Sequence, residues 1–348
     1  MTVRQPKRKY IAVLSIDGGG IRGIVPGQVL AMLEEKLKER SGRPETRLVD
    51  YFDLMAGTGT GGIMACAYLS PVKPHNSTPR FSAQQVVDLY MKHGARIFEE
   101  TLDHKILSVG GLLDEKFASD GIEGVLMDYF DTLQLSQLLK PSLITAYDIT
   151  KRKTHFFTQH TADKPSFDFY VRDIARATSA APTYFECKRM QSLSGVSYAL
   201  VDGSVFAGNP ALCAYAEASK IYHTRDASSV QVTPPQILML SLGTGLPKAH
   251  YEFDDAKGWG LASWSRPLLD MVTSGVAESV DYQLKSLYTS INASNLYLRI
   301  NPELSINVKA EMDNASAENL QALKELGLYT AEAYEAQLDA FVDLLLME

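Results

Sequence analysis

Residues 56–62 read Ala-Gly-Thr-Gly-Thr-Gly-Gly, one hydroxyl short of a nucleophile elbow. An elbow hydrolase needs Gly-x-Ser-x-Gly at a sharp strand-to-helix turn. The glycines let two chain segments approach closely, and the strained central residue projects its hydroxyl into the site. Here Gly57, Thr58, Thr60 and Gly61 occupy the outer positions, and Gly59 stands at the centre. The scaffold for a nucleophile is written and the nucleophile is not. Thr58 and Thr60 flank the centre, so their side chains leave the turn in other directions. A displacement of about 1 Å costs roughly 10²-fold in rate, so neither is expected to substitute. His223 and His250 come after Asp202, the candidate base, and a triad through either fits the chain order. Lone histidines are more often surface or satisfied core residues.

A second candidate is Asp17-Gly18-Gly19-Gly20-Ile21-Arg22-Gly23. Consecutive glycines let backbone N–H groups converge on one anionic spot, and Arg22 adds a fixed positive charge beside it. An oxyanion hole for acyl transfer is one reading. A dinucleotide site is another, because Gly18-x-Gly20-x-x-Gly23 matches the Rossmann fingerprint, and a ligand-free glycine turn is a third. The fingerprint expects an acidic residue about 20 positions on, at the end of the next strand. That region still reads as helix, and Asp17 would repel a pyrophosphate. The third candidate is Asp202, in Val201-Asp202-Gly203-Ser204. An aspartate ending a strand can reach the carboxyl edge of a parallel sheet. Alone, an aspartate before glycine is more often a turn residue. Its weight comes from its company.

The elements that must position these residues follow from periodicity. Tyr10–Ile16 and Gln236–Leu242 are continuous apolar runs, as buried strands require, and Asp53–Ala56 reads as another strand end. Helical spacing follows in Val29, Leu30, Leu33 and Leu37, closed by Ser41-Gly42. Ile63–Leu69 reads as a small-residue helix. Ser70–Arg80 holds three prolines and an Asn-Ser-Thr run, a surface loop. Helical patterns occupy 82–98 and 119–130. Ser142–Tyr147, His155–Thr158 and Tyr198–Val201 read as strands, and Thr224–Pro235 as a polar loop. From about 260 the chain is mostly helical, ending in an amphipathic run from Ala315 to Met347 that is expected to cover the core. Strands alternating with helices predict an α/β fold with a largely parallel sheet.

With 348 residues, 45% of them hydrophobic, the chain can bury a sizeable core. A net charge of −7 argues against a nucleic-acid polymer as partner, since backbone phosphates call for a basic surface. Cys66, Cys187 and Cys213 are far apart and odd in number, and their apolar or small-residue surroundings predict buried structural thiols. Arg4, Lys7, Arg8 and Lys9 look like the start of a secretory signal, but the apolar run after them is short and broken by Asp17. No segment offers the ~20 apolar residues that span a bilayer. Cytoplasmic residence with peripheral membrane contact is the expectation. No oxygen-ligand loop suggests calcium, and no cofactor is expected.

The glycine loop, the elbow, and Asp202-Gly203 followed by Asn209-Pro210 occur in the order found in the patatin-like lipid acyl hydrolases. The chain resembles that family from about Lys9 to Ala216. Further matches are Ala175-Arg176-Ala177-Thr178-Ser179-Ala180-Ala181-Pro182-Thr183-Tyr184-Phe185 and Ser241-Leu242-Gly243-Thr244-Gly245. Val280-Asp281-Tyr282-Gln283 and Met312-Asp313-Asn314-Ala315 resemble bacterial members. The resemblance implies a three-layer α/β fold with a mostly parallel central sheet and a helical C-terminal extension. Residues 1–215 would form the catalytic core, and 216–348 the remaining strand and helices of the same domain. It implies a Ser–Asp dyad with Asp202 as base and Gly59 in the nucleophile position. Gly18, Gly19 and Gly20 would supply oxyanion donors, with Arg22 supporting the loop. Ser204 departs from the glycine or alanine common in the family after Asp-Gly, and Gly59 departs at the nucleophile itself.

The implied activity is hydrolysis of phospholipid or lysophospholipid esters through an acyl-enzyme. Lacking the serine, this chain is expected to be inactive, either as a variant disarmed by substitution or as a natural pseudoenzyme sensing lipid or nucleotide. Ile106–Leu113 and Trp259–Trp264 are the candidate apolar segments at a substrate mouth. Some bacterial relatives are cyclic-nucleotide-activated effectors that attack the host membrane in phage defence, and the length and C-terminal extension here look similar. That likeness implies a cyclic nucleotide activator, with Lys151, Arg152 and Lys153 as candidate contacts, action at the inner membrane, and an open question of homo-oligomerisation.

Overall fold

The computed structural model describes residues 8–98, 117, 119–222, 224–225, 232–233, 236–247 and 251–347. In chain order the elements begin with β1 (Ile11–Ile16), α1 (Ile24–Ser41), β2 (Leu54–Gly57), α2 (Thr60–Tyr68), α3 (Ala83–Ile97) and α4 (Ser119–Phe130). Then come β3 (Ser142–Asp148), β4 (Lys153–Phe157), α5 (Val171–Thr178), β5 (Lys188–Gln191), β6 (Ser197–Asp202), α6 (Ser204–Ala207) and α7 (Ala211–Tyr222). A short hairpin of β7 (Thr224–Arg225) and β8 (Val232–Thr233) leads to β9 (Ile237–Leu242) and α8 (Phe253–Ala256). The chain closes with α9 (Leu261–Ser290), β10 (Tyr297–Ile300), α10 (Ala317–Ala333) and α11 (Glu335–Leu345).

One sheet organises the molecule, in the order β10-β9-β1-β2-β3-β6-β5, with β4 on the other side of β3. The neighbours from β10 to β3 run parallel, while β4, β5 and β6 join antiparallel. Every residue of β1 and β9 is buried, which is why both read as unbroken apolar runs: helices cover both faces of a parallel sheet. On one side α2 lies against β1, β2 and β3, with α1, α3 and α5 around it. On the other, α7 lies against β1, β2 and β9 and is backed by α9. The result is a mixed α/β fold in three layers. Because β9 pairs with β1 and β10 with β9, the C-terminal third contributes to the same sheet.

Local signals account for the helix ends. Gly42 closes α1 in the left-handed conformation, with its N–H bonded to Glu39. Ser82 caps α3 through the Gln85 amide, and Gln85 returns a bond to Ser82. The amphipathic C-terminal run is two helices, broken at Tyr334, and both pack on α1. Lys36 and Arg40 on α1 meet Glu335, Asp339 and Asp343 on α11 along the rim of that contact.

Two expectations need correcting. Strand β4 starts at Lys153 rather than His155, because the hairpin turn is tight enough for Lys153 to pair with Asp148. Cys66 is buried, but Cys213 is half-buried and Cys187 is exposed. Cys187 immediately precedes β5, the last strand on its side of the sheet. Among the described residues, no helix is long and apolar enough to cross a membrane.

Candidate active site

The carboxyl ends of β1, β2 and β9 meet at one edge, and the sequence candidates gather there. Strand β1 ends in the glycine loop, β2 in the elbow, and β9 in Gly243-Thr244-Gly245. Asp202 reaches the same place from the opposite direction, and the register shows how. Strand β4 takes one side of β3 over residues 144–148. On the other side, β2 pairs only with residues 142–144, and β6 takes over antiparallel at 146–148. Gly57 lies opposite Ile144 and Asp202 opposite Ala146. Two residues along a strand are about 7 Å, so Asp202 comes head-on to the end of β2, where the elbow begins.

Gly59 has φ 54° and ψ −121°, a backbone conformation that side-chain-bearing residues rarely adopt. Its N–H donates to Thr178 Oγ1 at 3.0 Å, at the end of α5. A Cβ added at Gly59 would lie 3.1 Å from Asp202 Oδ2 and 3.7 Å from Oδ1. The turn is built tightly around it. A Cβ on Gly57 would lie 2.2 Å from the Gly61 carbonyl oxygen, and one on Gly61 2.1 Å from the Ile16 carbonyl oxygen. Both glycines are therefore demanded by the approach of α2 to β1 and β2. The two threonines are committed elsewhere. Thr58 Oγ1 donates to the Ala207 carbonyl at 2.6 Å and meets Thr145 Oγ1 at 2.7 Å. Thr60 Oγ1 donates to Tyr90 Oη at 2.6 Å. Neither hydroxyl is directed at Asp202.

In the glycine loop, the expectation of three equivalent amide donors narrows. Gly18 N–H donates to the Gly208 carbonyl at 3.0 Å and is already used by the fold. Gly19 and Gly20 amides have no partner among the described residues, and both glycines line the pocket. Gly20 sits at φ 59° with its Cα against the Met312 carbonyl, which itself accepts from Ile21 N–H at 2.8 Å. Thr244 Oγ1 donates to the Gly18 carbonyl at 2.8 Å. The buried Arg22 points back into its own loop, with Nε 3.4 Å from the Gly19 carbonyl, so it braces the turn. One donor escaped the sequence reading. Thr60 N–H opens α2 and has no partner among the described residues. The rule that the residue after the nucleophile donates to the oxyanion was the signal for it.

Behind the loop lies a buried ion pair that the sequence did not reveal. Arg299 on β10 forms a two-pronged contact with Asp17, Nη1–Oδ1 at 2.9 Å and Nη2–Oδ2 at 2.6 Å, and also donates to Ser241 Oγ at 2.9 Å. Burial works against the Arg299 charge, but the Asp17 carboxylate outweighs it and holds the guanidinium above its ordinary value. Removing one partner leaves the other charge buried and alone. Arg299→Met is therefore expected to cost about 3 kcal/mol in urea unfolding, with Asp17→Asn added to it recovering part of the loss. No loss in the single variant would mean the pair does not hold the loop.

Asp202 is buried, and burial pushes its carboxyl up to about 7, against the opposing pull of hydrogen bonds from Ser204. Its Oδ1 accepts from Ser204 N–H at 2.8 Å. A carboxyl that titrates near neutrality suits a general base. Gly59, Asp202, Gly19 and Gly20 line one cleft of about 840 Å³, counting its open mouth, with Tyr184 and Phe185 among its apolar walls. On α9, Thr273 lines the cleft, and Leu268, Met271 and Val272, which precede it in the helix, are exposed. Trp259 and Trp264 pack edge to face 5.2 Å apart, with Trp264 partly exposed. Ile106–Leu113, His223 and His250 lie outside the described residues. Lys151, Arg152 and Lys153 form the exposed β3–β4 turn, where Lys151 pairs with Asp148 at 3.3 Å and stands 4.2 Å from the Tyr198 ring centre. None of the three is among the cleft's lining residues.

A strained turn between β2 and α2, a carboxylate facing it, and amides without a partner among the described residues beside it meet at one sheet edge of a three-layer α/β fold. The patatin-like phospholipase family model matches residues 14–215, and the chain belongs to that family. A Solanum tuberosum protein named probable inactive patatin-3-Kuras 1 is 31% identical, over 97% of this chain and 93% of its own length. Patatin-like protein 3 of Arabidopsis thaliana is 32% identical, over 92% and 80%. Among solved structures, VipD from Legionella pneumophila aligns with a TM-score of 0.36 at 12% identity, covering 94% of this chain and 67% of that one.

Proposed function

We propose that this cleft is a lipid acyl hydrolase site of the phospholipase A or lysophospholipase type, built for a Ser–Asp dyad and silent at the elbow because Gly59 holds the serine's place. The observation that carries the reading is the 3.1 Å approach of a Cβ at Gly59 to Asp202 Oδ2, in a backbone conformation kept for a nucleophile. In the serine-bearing form Asp202 accepts the hydroxyl proton, and the new bond forms to the ester carbonyl carbon. Gly19, Gly20 and Thr60 amides hold the oxyanion. Gly18 and Arg22 keep the loop in shape, as Gly57, Thr58 and Gly61 keep the elbow. The exposed Leu268, Met271 and Val272, on the helix that gives Thr273 to the cleft, would rest on a membrane surface, with the protein working from the cytoplasm at the inner membrane. The deciding experiment is fatty-acid release from mixed phospholipid vesicles by this chain and by Gly59→Ser, side by side.

A second reading is a pseudoenzyme that keeps the cleft to sense lipid or nucleotide. It is favoured by Gly59 itself and by the "probable inactive" name of a relative matched over nearly the whole chain. A third, phage-defence effector activated by a cyclic nucleotide, predicts a rise in melting temperature with some member of a panel of cyclic di- and trinucleotides. A flat response across the panel would remove it. Whether the active form is a homo-oligomer is testable by light scattering in the same buffers.

A further inference from the structure

The dyad's base has not lost every hydroxyl within its reach. We propose that Ser204 is a displaced nucleophile of the same cleft, activated by Asp202 in the chain as written. The inference rests on reading the cleft as an acyl-ester site and goes beyond it by giving the unmodified chain a reacting atom.

Ser204 lines the cleft together with Gly18, Gly19, Gly20 and Gly59, and is half-buried. Its N–H donates to Asp202 Oδ1 at 2.8 Å, and its side chain interacts with the same carboxylate. Gly18 stands between the two nucleophile positions. A Cβ on Gly59 would lie 3.7 Å from Gly18 Cα, and a Cβ on Gly18 would lie 3.9 Å from Ser204 Cβ. Gly59 and Ser204 therefore flank one stretch of the amide loop and share one base. The turn that presents Ser204 is rigid, because a Cβ on Gly203 would lie 2.0 Å from Thr145 Oγ1, leaving no slack against β3. Two other hydroxyls in the lining are engaged away from the carboxylate: Thr60 with Tyr90, and Ser179 with the Ala175 carbonyl at 2.7 Å. A serine here also departs from the small residue expected after Asp-Gly, at the one neighbouring position that restores a hydroxyl to the base.

The chemistry balances without a further reactant. Ser204 Oγ gives its proton to the Asp202 carboxylate and bonds to the ester carbonyl carbon. The tetrahedral oxyanion collapses, and the departing alkoxide takes the proton from Asp202. Water, giving a proton to Asp202, then attacks the acyl-serine, and Ser204 Oγ leaves and recovers that proton. Products are one carboxylic acid and one alcohol. Displacement from the elbow makes this path slow, by about 10²-fold or more relative to a serine at position 59.

The test is covalent labelling with an alkyl fluorophosphonate, read by intact mass and peptide mapping. Serine oxygen bonds to phosphorus and fluoride leaves, so no lipid interface is involved. The full chain, Ser204→Ala, Ser204→Gly, Asp202→Asn and Gly59→Ser are compared, each checked for folding by circular dichroism. A single adduct on Ser204 is expected in the chain as written, absent from both Ser204 variants and formed at least tenfold more slowly in Asp202→Asn. Gly59→Ser is expected to label faster, at position 59. Labelling of Gly59→Ser at position 59 with none of the unmodified chain would overturn the role of Ser204 and leave the proposed function standing. An adduct elsewhere in the unmodified chain, or one indifferent to Asp202→Asn, also overturns it. No adduct in any folded protein would remove both.

Discussion

Phospholipid vesicles treated with the Gly59→Ser variant are expected to release fatty acid about 10⁴-fold faster than with the chain as written. Loss of a catalytic serine commonly costs about 10⁶-fold, and an oxyanion hole with a substitute hydroxyl returns part of that. The expectation follows from geometry. The Gly59 backbone is already in the elbow conformation, its N–H is pinned by Thr178, and Asp202 Oδ2 lies 3.1 Å from where the serine Cβ would sit. That distance is tight, so the carboxylate must give by a few tenths of an ångström. A side chain at φ 54° is also strained, at a cost of order 1–3 kcal/mol in stability. The variant should thus gain activity while losing stability, a combination typical of active sites. Asp202→Asn in the same background should remove the gain. Equal, negligible release from both folded proteins, with or without cyclic nucleotides, would sink the hydrolase reading and favour the sensor.

Asp202→Asn alone should stabilise the protein, by an amount that grows as pH rises from about 4 and is complete just above 7. The Asp202 carboxyl lies at about 7 in the native state because burial penalises its charge, against an ordinary value of 3.8. Below pH 3.8 both native and unfolded chains hold the proton, and the residue costs nothing. Between 3.8 and 7 the native state alone retains it, so stability falls as pH rises. Above 7 the loss is complete. Three pKa units correspond to roughly 4 kcal/mol, an upper figure for a carboxylate at the wall of an open cleft. The difference between Asp202→Asn and the unmodified chain in urea unfolding should be near zero at pH 4 and reach about 2–4 kcal/mol at pH 8. Other titrating groups cancel in that difference. A gap that stays flat with pH would show that Asp202 is ionised normally, and would weaken its assignment as a base poised for proton transfer.

Much of the site was legible because each part depends on short-range backbone demands. The turn after β2 needs glycine where α2 crowds β1 and β2, and the loop after β1 needs glycine where φ is positive at Gly19 and Gly20. Both leave marks within a few residues. The buried parallel strands β1 and β9 were legible for a related reason, since two covered faces permit only apolar residues. Strand β10 was not, because Tyr297-Leu298-Arg299-Ile300 places a cation in a buried strand, and only its distant partner Asp17 makes that tolerable. Strand β5, with Lys188, Arg189 and Gln191 in its four residues, reads as loop because an edge strand exposes them. Helix α5 hides in the Ala175–Phe185 motif, too short for periodicity to declare it.

By itself the sequence determined the family and the α/β class, and it marked Gly59 and Asp202 as the candidates for nucleophile position and base, because these are written in contiguous motifs. Tertiary structure decided which atoms are free. Gly18 N–H is taken by Gly208, Thr58 and Thr60 hydroxyls are taken by Ala207 and Tyr90, and the Thr60 amide is left available. It also brought Ser204 to the cleft, beside Asp202. Hydrogen-bond partners come from segments 30 to 190 positions apart in the chain. No local pattern records such partners, since a donor's availability depends on what the rest of the chain packs against it.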